Sequence, residues 1–207
     1  FFKRAPGFFD VVCYTGNYTG SNAPLIPHNL GVKPELLIQK KRSGSMAMEW
    51  YVLSDIVPGT GVSRYSILDG TSTFQGVSGF LAPTSAGFPA LNAADPCVAY
   101  LFTSLPGISK VGSYTGNGTT QTINCGFTTG ARFILIKRTN NTGDWYVWDT
   151  ARGVVAGNDP HLSLNTTAAE VTTNDSIDPD ASGFIVNQVD DTHINVSDAQ
   201  YIFLAIA

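Results

Sequence analysis

The sequence predicts an all-β protein made of two tandem β-sandwich modules, jelly-roll-like and related by internal duplication. Three observations carry this. Apolar residues come in short runs of four to seven, rich in Val, Ile, Phe and Tyr and bounded by Gly, Asn, Thr, Ser and Pro, the pattern of strands separated by turns. No apolar stripe at i, i+3, i+4 spacing persists beyond two turns, so long amphipathic helices are excluded. The 207-residue chain also repeats itself: Pro6-Gly7 returns as Pro106-Gly107, and Tyr14-Thr15-Gly16-Asn17 as Tyr114-Thr115-Gly116-Asn117.

In the first copy the apolar runs give strands over Phe8–Tyr14, Leu36–Lys41, Trp50–Ser54, Ser63–Leu68 and Val98–Thr103. In the second they give Lys110–Tyr114, Thr119–Asn124, Phe133–Arg138, Asp144–Asp149, Leu162–Asn165, Phe184–Asn187 and Tyr201–Ile206. Gly16-Asn17 and Asn117-Gly118 read as hairpin turns, because Gly and Asn tolerate positive φ. Thr166–Val171 is the one short helical candidate. The strand starting at Trp50 or Trp145 carries apolar side chains on both faces, as a strand covered on two sides requires.

The repeat continues with LLIQKKR (Leu36–Arg42) over FILIKR (Phe133–Arg138) and WYV at Trp50 over WYV at Trp145. SGF at Ser78 is matched to SGF at Ser182, and CVAYLFT at Cys97 to YIFLAIA at Tyr201. The offset drifts only between strand-like runs, as loops differing in length predict. The extra residues of the second copy are placed in the polar stretch Asn174–Ala181, read as a surface loop. The expected organisation is therefore 1–7 as the end of a preceding module and a linker, 8–105 as the first module and 106–207 as the second. Phe1 and Phe2 lie over Leu101 and Phe102, so they are expected to end a strand whose body lies upstream and to be packed.

Net charge is −4 and the pI about 5.2, which offers no basic field for nucleic acid and no polybasic patch for an anionic membrane. Apolar residues make up 43% and charged residues 14%, enough for a packed core. The three cysteines, Cys13, Cys97 and Cys125, are far apart and odd in number, so they read as buried thiols rather than a disulfide framework.

Duplication offers a test for chemistry, since a reaction common to both copies needs its residues in both. His28 aligns with Cys125, His161 with Tyr65, and His193 falls in a divergent stretch. No shared His base or zinc site results, and no nucleophile elbow or phosphate loop is present. Glu49 and Asp144 form the one convincing shared acidic position, with Asp149 opposite Ser54; glycoside hydrolysis needs two facing carboxylates. No enzyme and no cofactor are therefore expected. Asp175, Asp178 and Asp180 are the candidate metal ligands, offering oxygens suited to Ca²⁺, with Asp190 and Asp191 nearby in sequence. Tyr18, Phe88 and Trp148 lack an aromatic counterpart in the other copy and, with Asp144 and Asp149, are the candidate ligand- or receptor-binding residues. Asn-x-Ser/Thr triplets, such as those at Asn17, Asn117, Asn165 and Asn195, carry no information in a chain this rich in Asn and Thr.

APGFFDVVCYTGN (from Ala5), PHNLGVKPELLIQKKR (from Pro27) and VGSYTGNGTTQTINCGFTTGARFILIKRTNNTGDWYVWDTARG (from Val111) resemble the C-terminal repeat of bacteriophage and prophage tail proteins of fibre or spike type. The likeness extends through LNTTAAE and SGF to the final YIFLAIA and covers Ala5–Ala207. It implies a virion structural protein, sited in the phage tail and acting extracellularly at the host surface. Recognition and attachment would be non-catalytic, through loops that meet a host-surface glycan or protein. By analogy with fibres it implies a homo-oligomer, a trimer by preference, in contact with other virion tail proteins. The family carries no catalytic residue to transfer. A depolymerase acting on host polysaccharide and a purely structural tail-decoration protein are the alternatives.

Overall fold

A computed structural model describes residues 3–16, 25–44, 49–58, 64–76, 82–91, 94–189 and 191–207. Phe1, Phe2, Asn17, Tyr18, Ser63, Ser78–Phe80 and Asp190 lie outside the described residues. The chain divides into a first unit, Phe1–Leu68 with Gln75–Ser104, and a second, Asp69–Phe74 with Leu105–Ala207.

Among the described residues all regular elements are strands, as the periodicity predicts. The first unit has a six-stranded antiparallel sheet in the order β1 (Phe9–Thr15), β8 (Pro96–Phe102), β3 (Leu36–Lys41), β4 (Tyr51–Ser54), β5 (Arg64–Ile67), β6 (Gln75–Gly76). Its second layer is the short pair β2 (Ile26–Pro27) and β7 (Gly87–Phe88). Leu30, Leu37, Leu53, Phe88, Ala99 and Leu101 fill this unit's core.

In the second unit a five-stranded sheet runs β9 (Ser109–Thr115), β16 (Gln200–Ile206), β11 (Phe133–Arg138), β12 (Trp145–Asp149), β13 (Leu162–Ser163). A three-stranded sheet of β10 (Gln121–Asn124), β15 (Gly183–Val186) and β14 (Ile177–Asp180) covers one face of it. Ile134, Ile136, Trp148 and Phe203 from the larger sheet meet Ile123, Ile177, Phe184 and Val186 from the smaller. The eight strands form the two-layer sandwich expected, split five and three rather than evenly.

The first five strands of the first unit's sheet, β1, β8, β3, β4 and β5, follow the same order and register as the five of the second unit's. Phe9 faces Phe102 as Ser109 faces Ile206, Leu36 faces Ser54 as Phe133 faces Asp149, and Tyr51 faces Ile67 as Tyr146 faces Ser163. Each β1-type strand is entered by the same turn, with Gly7 and Gly107 at φ 72 and 74 and bridges Ala5–Phe9 and Leu105–Ser109. Only glycine adopts that conformation without strain. At the first of these turns Arg4 is paired with buried Asp10, whose carboxylate also accepts the Val11 and Asn29 amides.

Register corrects the sequence alignment in three places. Ile26 faces Phe88 as Ile123 faces Phe184, so the counterpart of Phe88 is Phe184, not a missing aromatic. The additional residues of the second unit consequently fall between Phe184 and Gln200, in the β15–β16 connection. Ile177–Asp180 is not a loop but strand β14, at the edge of its sheet. An edge tolerates Pro179, which has no amide to donate, and outward acids protect it from further pairing. Asn117-Gly118 does not close a hairpin, because β9 and β10 lie in different layers. Thr166–Val171 forms no helix; Val171 instead bridges His161. Cys97 and Cys125 are buried as expected, whereas Cys13 is exposed.

Candidate functional site

Inward-facing positions of β11, β12 and β16 carry the core to the end of the second sandwich and then turn polar. On β11 the inner face runs Ile134, Ile136, Arg138; opposite it on β12 run Trp148, Tyr146 and, one step past the strand, Asp144. With Thr192, His193 and Ile194 from the β15–β16 connection these residues line a small, shallow recess open to solvent, the cleft of this unit. Ile136 and Ile194 lie beneath it, buried at 1% and 2% exposure, and Tyr146 presents a half-buried ring.

Both charged residues are held in place from behind. Arg138 donates from Nε to Asn140 Oδ1 (3.3 Å), and the same oxygen accepts the Gln200 amide (3.2 Å). Asp144 Oδ1 accepts from Asn165 Nδ2 (2.8 Å), while Asn165 Oδ1 accepts the Trp145 amide (2.8 Å). The two charges face the same cleft from opposite strands yet form no ion pair, and the terminal guanidinium nitrogens of Arg138 have no acceptor among the described residues. Gly143 sits against Arg138, where an added Cβ would approach the Arg138 Cβ to 3.3 Å.

Tyr146 donates to the Asp191 carbonyl (3.3 Å), and burial, followed by the Asp144 and Asp191 charges, pushes its phenol up to about 12. It is therefore a neutral hydroxyl at physiological pH. His193 is exposed and adopts φ 51, with its carbonyl accepting the Tyr201 hydroxyl at 2.6 Å. That bond ties the loop that carries His193 to the edge of the cleft.

Behind Tyr146 lies a buried polar cluster. The His161 ring meets Tyr146 edge-on at 5.5 Å and Trp148 at 5.3 Å. Asp159 Oδ1 accepts the amides of Ser176 (2.9 Å) and Ile177 (3.0 Å), and Ser176 Oγ in turn meets Thr192 Oγ1 at 3.2 Å on the cleft wall. Asp159 Oδ2, His161 Nδ1 and Trp148 Nε1 are buried without a well-formed hydrogen bond among the described residues. Burial pushes the Asp159 carboxyl up to about 7 against the pull of the two amides and the nearby indole. Burial lowers His161 below its ordinary value.

Of the residues singled out by sequence, only Asp144 reaches the cleft. Trp148 is fully buried between the two layers and Phe88 likewise lies in the first unit's core, edge-on to Tyr14 at 5.5 Å. Neither ring can stack on a ligand from solvent. Trp148 occupies the register position of Leu53, facing Ile134 as Leu53 faces Leu37. Asp149 is committed to closing a turn, accepting the Arg152 amide (3.0 Å) and pairing with its guanidinium, which also meets Glu170 at 2.9 Å. Tyr18 lies outside the described residues.

The metal set does not assemble. Asp175 and Asp178 share the Asn187 side-chain amide at 2.9 and 3.0 Å, whereas Asp180 accepts from Ser182 at the β14–β15 turn. Among the described residues no group of three His, Cys, Asp or Glu is placed to hold a metal ion. Asn195, one of the Asn-x-Ser triplets, is fully buried and donates to the Asn117 side chain and the Thr119 carbonyl.

Arg138 and His193 escape sequence reasoning for different reasons. Arg138 reads as the end of a strand, and its facing of Asp144 depends on register. His193 lies in the stretch that has no counterpart; correct placement of the extra residues is the signal that would have marked it.

A family model matches residues 4–207. The chain belongs to the DUF7483 family. That family is described as a domain of unknown function, and its span takes in both units. No curated protein and no solved structure matches the chain.

Proposed function

We propose that this DUF7483 chain is a non-catalytic recognition module of a bacteriophage tail fibre or related virion protein, duplicated in tandem and oligomeric in the assembled particle. The duplication is supported by the shared strand order and register of the two large sheets. The observation that carries recognition is the cleft: a guanidinium and a carboxylate, each held by an asparagine and without an ionic partner among the described residues, at the end of the second sandwich. A small number of precisely placed polar groups is what gives a ligand site its specificity. Copies in an oligomer would raise the avidity of a weak site.

The rival reading as a polysaccharide depolymerase has less support. Among the described residues Asp144 is the one carboxylate lining the cleft, where acid–base hydrolysis of a glycoside takes two. The test is a microarray of bacterial surface polysaccharides probed with the purified 207-residue protein, with a reducing-sugar assay on every hit. Retention without new reducing ends supports recognition. Turnover that disappears in Asp144→Asn establishes the depolymerase instead, and silence on the array together with no retention on cells leaves only a structural role.

A further inference from the structure

We infer that Asn117 is a latent self-modification site, a deamidating asparagine that Asn195 keeps silent in the native fold, so that isoaspartate at 117 marks chains whose β15–β16 connection has opened. Chemistry is the first argument. Asn117-Gly118 is the one Asn-Gly pair in the 207 residues. Glycine has no Cβ to shield its amide nitrogen, so that nitrogen, once it gives up its proton, attacks the Asn117 side-chain carbonyl carbon. The new C–N bond closes a five-membered succinimide, and Nδ2 leaves with a proton as ammonia. Water then opens the ring at either carbonyl, giving aspartate or isoaspartate. The repeat supplies its own control: the counterpart Asn17 is followed by Tyr18, whose side chain hinders the same attack.

Restraint is the second. Asn117 is exposed to water, yet both reacting groups are held. The Gly118 amide donates to the Asn195 carbonyl at 2.8 Å, so the attacking nitrogen keeps its proton. Asn117 Oδ1 accepts from the Thr119 amide (2.9 Å), Thr119 Oγ1 (3.3 Å) and Asn195 Nδ2 (3.0 Å), while its Nδ2 donates to the Thr120 carbonyl (3.3 Å). The Asn117 amide donates in turn to Asn195 Oδ1 at 3.0 Å. Ring closure has to break the Gly118–Asn195 bond and turn the carboxamide out of this net, which takes a local opening.

Position is the third. Asn195 is fully buried and acts as a hub: Oδ1 also accepts from Gln121 Nε2 (2.6 Å), and Nδ2 also donates to the carbonyls of Thr119 (2.6 Å) and Val186 (3.3 Å). Its neighbours are pinned, Ile194 by its carbonyl to the Tyr114 hydroxyl at 2.6 Å and Val196 by its amide to the Tyr201 hydroxyl at 3.1 Å. The same connection carries Thr192, His193 and Ile194 to the cleft. Isoaspartate inserts an extra carbon into the main chain between the amides of 117 and 118, so the two no longer meet Asn195 together. Ordinary aspartate loses the donor to the Thr120 carbonyl and sets a carboxylate against that oxygen. Either product loosens the hub, and the loosening passes along the connection to the cleft.

The test ages the purified full chain in mildly alkaline buffer, with and without urea, and follows conversion at Asn117 and Asn17 by peptide mass and by isoaspartyl methylation. In urea Asn117 should convert and Asn17 should not; in native buffer conversion at Asn117 should be slower by about tenfold or more. Asn195→Ala, its fold checked by circular dichroism, should recover most of that difference. The Gly118 amide hydrogen of the parent, which needs no variant, should be protected from exchange to a similar degree. Native conversion as fast as in urea, an unprotected Gly118 amide, or a folded Asn195→Ala no faster than the parent overturns the inference. Amide shifts of His193 and Ile194 in the aged, charge-separated product check the coupling. Displaced shifts support it, and unchanged ones overturn the link between Asn117 and the β15–β16 connection.

Discussion

Asp159 is a buried carboxyl whose charge the fold opposes. It has no exposure, its Oδ1 is saturated by two backbone amides and its Oδ2 lies near an indole. Its folded carboxyl titrates near 7, above the ordinary value of 3.8, so the native state holds the proton more tightly than the unfolded chain. The stability tied to that proton is complete below about pH 4 and is lost as pH rises through 7. His161 works in the opposite sense: with its value lowered, it favours the native state above its ordinary 6.5 and opposes it in acid. Comparing Asp159→Asn with the parent isolates the first effect, because Asn retains an oxygen for the Ser176 and Ile177 amides. The variant should gain on the parent as pH increases from 5 to 8, seen as diverging urea midpoints; parallel curves would show that Asp159 is ionised throughout.

Elements were legible where burial alone set their pattern. β11, β12 and β16 are apolar on both faces, so short runs such as FILIKR and WYVWD identify them without further help. β14 was not legible, because IDPD carries a Pro and two acids and is a strand only through pairing with β15 and the buried Ile177. Phe88 was misread for a related cause: SGF at Ser78 imitates the true counterpart of Ser182–Phe184, and only the pairing Ile26–Phe88 exposes the imitation. Of the site, Asp144 alone was visible, since its partners come from a strand six positions away and a loop about fifty positions on. The β10–β15 pairing has its own sharp requirement. A Cβ on Gly183 would meet the Ile123 carbonyl oxygen at 2.1 Å and the Cys125 amide at 3.0 Å, both backbone atoms with no freedom to swing aside. Gly183→Ala should therefore destabilise the second unit by about 1–3 kcal/mol or more through overpacking. Gly126→Ala, where a Cβ meets nothing within 4 Å but φ is 74, should show only the smaller cost of a left-handed alanine. Guanidinium denaturation of the pair checks the order, and equal losses would mean that the strands simply move apart.

At the scale of the molecule, the divisions of the chain are not two consecutive halves. Asp69–Phe74, which follows β5, belongs to the second unit. There Lys137, wholly buried, donates to the carbonyls of Thr71 (3.0 Å) and Gly143, and its ammonium lies 5.8 Å from the Trp145 ring. Burial pushes Lys137 down to about 8, against the opposing pull of Asp144. Phe74 packs on Trp145 with centroids 6.0 Å apart, and its amide reaches the Thr139 carbonyl at 3.4 Å. This stretch closes the outer face of β12 behind the hairpin that carries Arg138 and Asp144. Removing its ring should thus be felt by the second unit although the residue precedes Leu105 in the chain. Phe74→Ala is expected to cost about 3–5 kcal/mol, with the melting transition that contains Trp145 lowered and its fluorescence shifted to the red. A loss confined to probes of the first unit, with Trp145 emission unchanged, would show that Asp69–Phe74 does not fold with the second.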